Sequence, residues 1–175
     1  MYNDLRELCL LSGISGEENE IREYIISRIR EHCDYKVDAL GNIIAQKIGK
    51  KRPKRQLMIS AHMDEVGMIV TSIKEDGTLL FSEVGGVDAR VILGRSVLVG
   101  PRKIPGVIGT KAVHMQTSEE RNTAVPVDQL YIDIGAEKKE EALLDVSLGD
   151  AVSFAPCFGE LGNGYLYGKA LDDRI

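Results

Sequence analysis

The chain has 175 residues and a formal net charge of −5, with 43% hydrophobic and 28% charged residues, the make-up of an ordinary globular protein with a packed core. The acidic balance gives no reason to expect nucleic acid or an anionic membrane as a partner, no apolar run approaches the ~20 residues of a membrane helix, and the opening Met-Tyr-Asn-Asp lacks the character of a signal peptide. Cys9, Cys33 and Cys157 are odd in number, without a Cys-x-x-Cys pair, and point to reduced thiols in a cytoplasmic protein; the lack of tryptophan counts against a carbohydrate-stacking groove.

The first segment is predicted helical, because Leu5, Leu8, Cys9 and Leu11 recur at helical spacing before Gly13 stops the run. Ser15 and Glu18 form a Ser-x-x-Glu capping-box pattern ahead of a second helix, in which Ile21, Tyr24, Ile25 and Ile29 share one face. Residues 35–39 are expected to pair with 43–47 as a hairpin through Leu40-Gly41-Asn42. The basic, proline-containing stretch 47–55 reads as a solvated loop. Leu57-Met58-Ile59-Ser60-Ala61 has the continuous apolar character of a buried central strand. His62 and Asp64 follow it, at the end where open α/β sheets collect ligands.

Beyond residue 66 the character changes. Strand-like runs at 66–73, 78–84, 91–99, 107–109, 130–134 and 151–154 are punctuated by glycine and proline, with one short helical stretch at 138–144. Strands this short and closely spaced suggest a small barrel or sandwich. The expected fold is therefore α/β with an inserted β-barrel-like domain. Residues 1–66 would form the N-terminal part of the α/β domain, 67–163 the insert, and 164–175 the return to the first domain. The polar stretch 116–123 is expected to be a mobile loop. The sequence stops on Ile175 directly after paired carboxylates, which reads as an interruption that leaves the α/β domain incomplete.

Two short motifs carry chemistry. In Ala61-His62-Met63-Asp64-Glu65-Val66-Gly67 an imidazole suited to zinc or cobalt is followed, two residues on, by a carboxylate able to hold its other ring nitrogen. Alone, this pattern fits a hydrogen-bonded structural histidine as well as a metal site. Asp172-Asp173 is equally ambiguous alone. Adjacent acids are common on surfaces, yet a dinuclear metal site needs a carboxylate that bridges its ions. His32, near a helix end, and His114, in the insert, read as structural or surface residues. Asp88 and Arg90 read as a turn with its ion pair.

Taken together, the helical opening with Gly13-Ile14-Ser15-Gly16, the Ala-His-Met-Asp-Glu-Val-Gly run, a β-rich insert and Gly168-Lys169-Ala170-Leu171-Asp172-Asp173-Arg174-Ile175 resemble the M42, glutamyl aminopeptidase-like, metallo-aminopeptidases over the whole chain. The resemblance implies two divalent ions, zinc or cobalt, with His62 binding one and Asp172 bridging both. Asp64 would be the catalytic-site carboxylate that orients His62, and Asp173 would support Asp172 across a cis Asp172–Asp173 peptide. The family's glutamate pair, with a further aspartate and histidine, comes later in the chain order, so Glu119-Glu120 is not that pair. This chain alone is therefore expected to bind metal weakly and to be inactive. The implied whole enzyme trims short peptides from the N-terminus and assembles as a homo-oligomer, dimers building a dodecamer through the insert. Two rival readings are a non-catalytic peptide-binding or assembly module and an endoglucanase-type hydrolase using paired carboxylates.

Overall fold

A computed structural model describes residues 2–51, 54–118 and 122–174. Helices α1 (Tyr2–Leu10) and α2 (Asn19–Ile29) open the chain. Cys9 of α1 and Ile21 of α2 are buried, and Asp4 joins the two helices, accepting a hydrogen bond from Tyr24 Oη at 3.1 Å and pairing with Arg28 at 2.8 Å. The turn between them is tight. A Cβ on Gly13 would lie 2.6 Å from Ile21 Cγ1, so glycine is what lets Ile21 close over the turn. The expected capping box does not form. Glu18 stands at the N-cap position of α2 without capping it through its side chain, and its Oε1 accepts from Gly16 N at 2.7 Å, while Ser15 turns its hydroxyl towards Asp64.

Strands β1 (Asp34–Val37) and β2 (Ile43–Gln46) form the expected antiparallel hairpin. Asp38 organises its turn, accepting from the backbone N–H groups of Leu40 and Asn42 at 2.9 Å each. The next expectation fails. Leu57, Met58 and Ile59 are not a buried strand; they lie outside every sheet and are 88%, 86% and 86% exposed. A strand needs neighbours to satisfy its N–H and C=O groups and cover its side chains, and no described strand pairs with this run.

A closed six-strand barrel follows, in the order β3-β4-β7-β6-β5-β8. Its strands are β3 (Gly67–Ile73), β4 (Leu79–Val84), β5 (Ser96–Val99), β6 (Ile104–Gly109), β7 (Tyr131–Asp133) and β8 (Ala151–Phe154). Met68, Val70, Leu79, Val97, Val99, Ile108, Ile132 and Val152 fill it, and each fully buried aliphatic side chain contributes about 1.5–3 kcal/mol. Helix α4 (Lys139–Asp145) lies where helix was expected. The anticipated strand at 91–99 is instead split. Its first residues belong to α3 (Ala89–Ile92), because Asp88 caps the turn by accepting from Arg90 N at 2.9 Å. Of the loop expected to be mobile, Glu119, Glu120 and Arg121 lie outside the described residues, as do Arg52 and Pro53 of the basic loop.

Strands β3 and β8 are antiparallel neighbours, with Met68 opposite Val152. The chain therefore leaves for the barrel and returns from it at one seam. Gly67 sits there, where a Cβ would strike Ile14 at 2.3 Å and Val152 O at 2.8 Å. Beyond the barrel, β9 (Phe158–Glu160), within the segment assigned to the insert, pairs with β10 (Leu166–Gly168) in a separate hairpin against α1. Tyr2 anchors it by an edge-on ring contact with Phe158 and a 2.7 Å hydrogen bond to Glu160. The last turn, α5 (Leu171–Arg174), also packs on α1.

Candidate functional site

The seam brings residues from the two ends of the sequence together. His62 Nδ1 is 2.9 Å from Asp64 Oδ1, and Asp64 Oδ2 accepts a 2.5 Å hydrogen bond from Ser15 Oγ. On the other side of the ring, His62 Nε2 faces Asp173 Oδ1 at 3.5 Å. Three of the four expected site residues thus converge. Asp172 is exposed and, among the described residues, makes no ion pair with the ring.

The peptide joining the two aspartates is also not the expected cis bond; no cis peptide occurs among the described residues. A one-turn helix accounts for this. Asp173 N donates to Ala170 O at 3.1 Å, and that turn runs trans through both aspartates, aiming the second carboxylate at His62. Ala170 enters the turn with φ +53°, the left-handed region, which costs a non-glycine residue about 1 kcal/mol.

Electrostatics follow this geometry. The hydrogen bond to Asp64 raises the His62 pKa, opposed by desolvation and reinforced by the charges of Asp64 and Asp173. The Ser15 hydroxyl, then His62, hold the Asp64 carboxyl below its ordinary value. His32 and His114 are exposed and stand apart, and Asp88 pairs with Arg90 at 2.6 Å, which with capping brings its pKa down to about 2.

Sequence reasoning passed over a buried charge cluster beneath the site. Glu65 is 4% exposed and accepts from Lys169 Nζ at 2.5 Å, with Arg174 Nη2 3.6 Å from its other oxygen. Burial pushes the Lys169 ammonium pKa down, against the pull of Glu65. The available signal was Glu65 itself, an acid two positions before the apolar strand β3 begins at Gly67.

The donor chemistry suits a divalent cation in kind. If Nδ1–H donates to Asp64, then Nε2 presents a lone pair to a carboxylate oxygen, two acceptors face to face, and only a proton or a cation between them makes the contact favourable. It falls short in number, since no group of three or more such ligands is assembled among the described residues.

A mixed α/β chain that returns from a closed barrel to set a carboxylate beside an imidazole has the architecture of barrel-bearing aminopeptidases. This chain belongs to the M42 glutamyl aminopeptidase family, whose profile matches residues 41–175. A protein of Acetivibrio thermocellus that bears an aminopeptidase name is 41% identical over 99% of this chain and 50% of its own length. The TET1 peptidase of Pyrococcus horikoshii, which assembles into a tetrahedron or a large octahedral shell, superposes with a TM-score of 0.85 at 41% identity, over 99% of this chain and 52% of that one. A Thermotoga maritima structure named as an endoglucanase superposes at 0.82 with 40% identity, over 97% and 50%. The chain thus spans about half the length of the relatives it matches.

Proposed function

We propose that the protein represented by this chain is a metal-dependent aminopeptidase that removes N-terminal residues from short peptides. The observation that carries this reading is the imidazole held between Asp64 and Asp173, in a chain of the M42 family. His62 Nε2 would be one ligand to a divalent ion, zinc or cobalt, and the Asp172–Asp173 pair would supply carboxylate, with Asp172 the bridge if two ions bind. Bound ions of this kind polarise a scissile carbonyl and make a water acidic enough to attack it near neutral pH. Asp64 accepts the Nδ1 proton and so keeps the Nε2 lone pair directed at the site. Ser15 holds Asp64 in that orientation.

The site has no described group poised to take the proton of an attacking water. In this reading that base, with the remaining ligands, lies in the part of the relatives' length that the chain does not span, and the α/β domain is incomplete without it. Assembly through the barrel into a homo-oligomer and a cytoplasmic location belong to the same proposal. The first is supported by the TET1 neighbour, the second by the free cysteines Cys9, Cys33 and Cys157.

Cobalt titration of the chain, followed by absorption and calorimetry, tests the reading. Binding is expected, weak in affinity and abolished in His62→Ala. Comparison of Asp172→Asn with Asp173→Asn identifies the carboxylate that matters. Binding that is indifferent to His62 would remove the basis of the assignment. The endoglucanase name of the Thermotoga neighbour favours paired-carboxylate glycoside hydrolysis as a second reading. In the relatives' full-length context, a chelator should stop peptide-anilide hydrolysis and leave a glycosidase untouched.

A further inference from the structure

The contact between His62 and Asp173 is too exposed and too long to hold its own segments in place. The imidazole side chain is 61% accessible and the separation is 3.5 Å, a class of ion pair that contributes little. Something else sets the distance. Directly beneath, Glu65 ties three parts of the chain to one buried carboxylate. Its Oε1 accepts from Gly13 N at 3.1 Å and from Lys169 Nζ at 2.5 Å, and its own backbone N donates to Gly13 O at 2.8 Å. Lys169 Nζ also donates to Leu11 O at 2.6 Å, and Arg174 Nη1 donates to Met63 O at 2.5 Å. Met63 and Glu65 flank Asp64, while Lys169 and Arg174 bracket the paired aspartates.

We propose that Glu65 is a positioning residue whose buried carboxylate clamps the 62–65 segment to the 169–174 segment, and thereby sets the approach of Asp173 to His62. The inference rests on the reading of His62 and Asp173 as metal-site residues. A cluster serving stability alone would be an inefficient choice. Three charges are removed from water, two of them cationic against one carboxylate, and Arg174 Nε and Nη2 lack hydrogen-bond partners among the described residues. What such a cluster provides better than an apolar patch is register. Directional hydrogen bonds fix one relative placement of the segments, where aliphatic packing tolerates several.

The test compares Glu65→Gln, which keeps the shape and loses the charge, with the double variant Glu65→Gln/Lys169→Met, which removes both charges of the pair. Amide hydrogen exchange is followed by segment, and cobalt affinity is measured in parallel. In Glu65→Gln, amides of 13–14, 65 and 169–173 should exchange about tenfold or more faster and cobalt affinity should fall about 10–100-fold, the range for lost outer supports of metal ligands, with the rates of the six barrel strands unchanged. The double variant leaves no unpaired ammonium buried but also lacks the Lys169 bonds to Glu65 and Leu11 O, so it should recover global stability while site protection and cobalt affinity stay low. Recovery of site protection with an apolar side chain at 169 also overturns the proposal. Acceleration of barrel and site together, or no change at the site, overturns the proposal. If the unaltered chain takes up no cobalt, the metal reading fails, and the exchange pattern alone decides whether Glu65 positions these segments.

Discussion

His62 Nε2 and Asp173 Oδ1 approach to 3.5 Å across the seam where the chain leaves and re-enters the barrel. The ring's other nitrogen already has Asp64 as a partner, so the imidazole sits between two carboxylates and its charge state decides what the site can hold.

A pH dependence of definite sign follows. The folded-state pKa of His62 is raised above 6.5, chiefly by the hydrogen bond to Asp64. Its contribution to stability is therefore fully present below 6.5 and is lost as pH rises through the folded value. Metal uptake needs the neutral ring, so cobalt affinity should increase over the same window. Titration of the His62 ring by NMR should give a midpoint above 6.5, and Asp64→Asn should lower it. A midpoint unmoved by that substitution would show that Asp64 does not govern the ring.

Gly13→Ala should destabilise the chain by about 1–3 kcal/mol, the usual cost of forcing a methyl into a packed site. The new Cβ would stand 2.6 Å from Ile21 Cγ1, which is buried. Ile21→Ala, made in the same background, should cost less than it does alone, because it removes the Cγ1 atom that the new methyl would strike. Denaturant unfolding of the four proteins gives the coupling.

Replacing Leu57 and Ile59 by serine should change unfolding free energy by no more than about 0.5 kcal/mol, as at other surface positions. Both side chains are almost fully exposed. The same double variant should be more soluble, because a contiguous apolar run in water invites association. A loss of several kcal/mol would place these side chains inside a core.

Leu79→Ala should cost about 2–5 kcal/mol. Leu79 is fully buried in the barrel, and its strand position is opposite Ile132. Thermal unfolding checks this directly.

The barrel was largely legible in the sequence because its signals are local. Alternating apolar residues and turn glycines mark β3, β4 and β8 within a residue of where they lie. Helices α1 and α2 were legible for the same reason. The misreadings were non-local. Leu57-Met58-Ile59 has a strand's composition, but composition does not supply neighbours. The Ser-x-x-Glu pattern looked like a cap, yet Ser15 finds a better acceptor in Asp64, distant in sequence. Of the site, the motifs singled out His62 and Asp64, with Asp172 as the bridging carboxylate and Asp173 as its support. It is Asp173 that faces the ring, however, because the one-turn helix carries Asp172 to the surface. The clamp at Glu65 was not singled out, because its partners Lys169 and Arg174 become visible only once the barrel has folded the chain back upon itself.

That return has an energetic meaning. Bringing His62 and Asp173 together in an unstructured chain would close a loop of about 100 residues, an entropic cost of roughly 4 kcal/mol. The β3–β8 pairing meets most of that cost when the barrel folds, so the barrel acts as a cross-link made of packing instead of covalent bonds. Substitutions deep in its interior, far from either residue, should therefore loosen the approach of Asp173 to His62 once they leave the barrel partly unfolded.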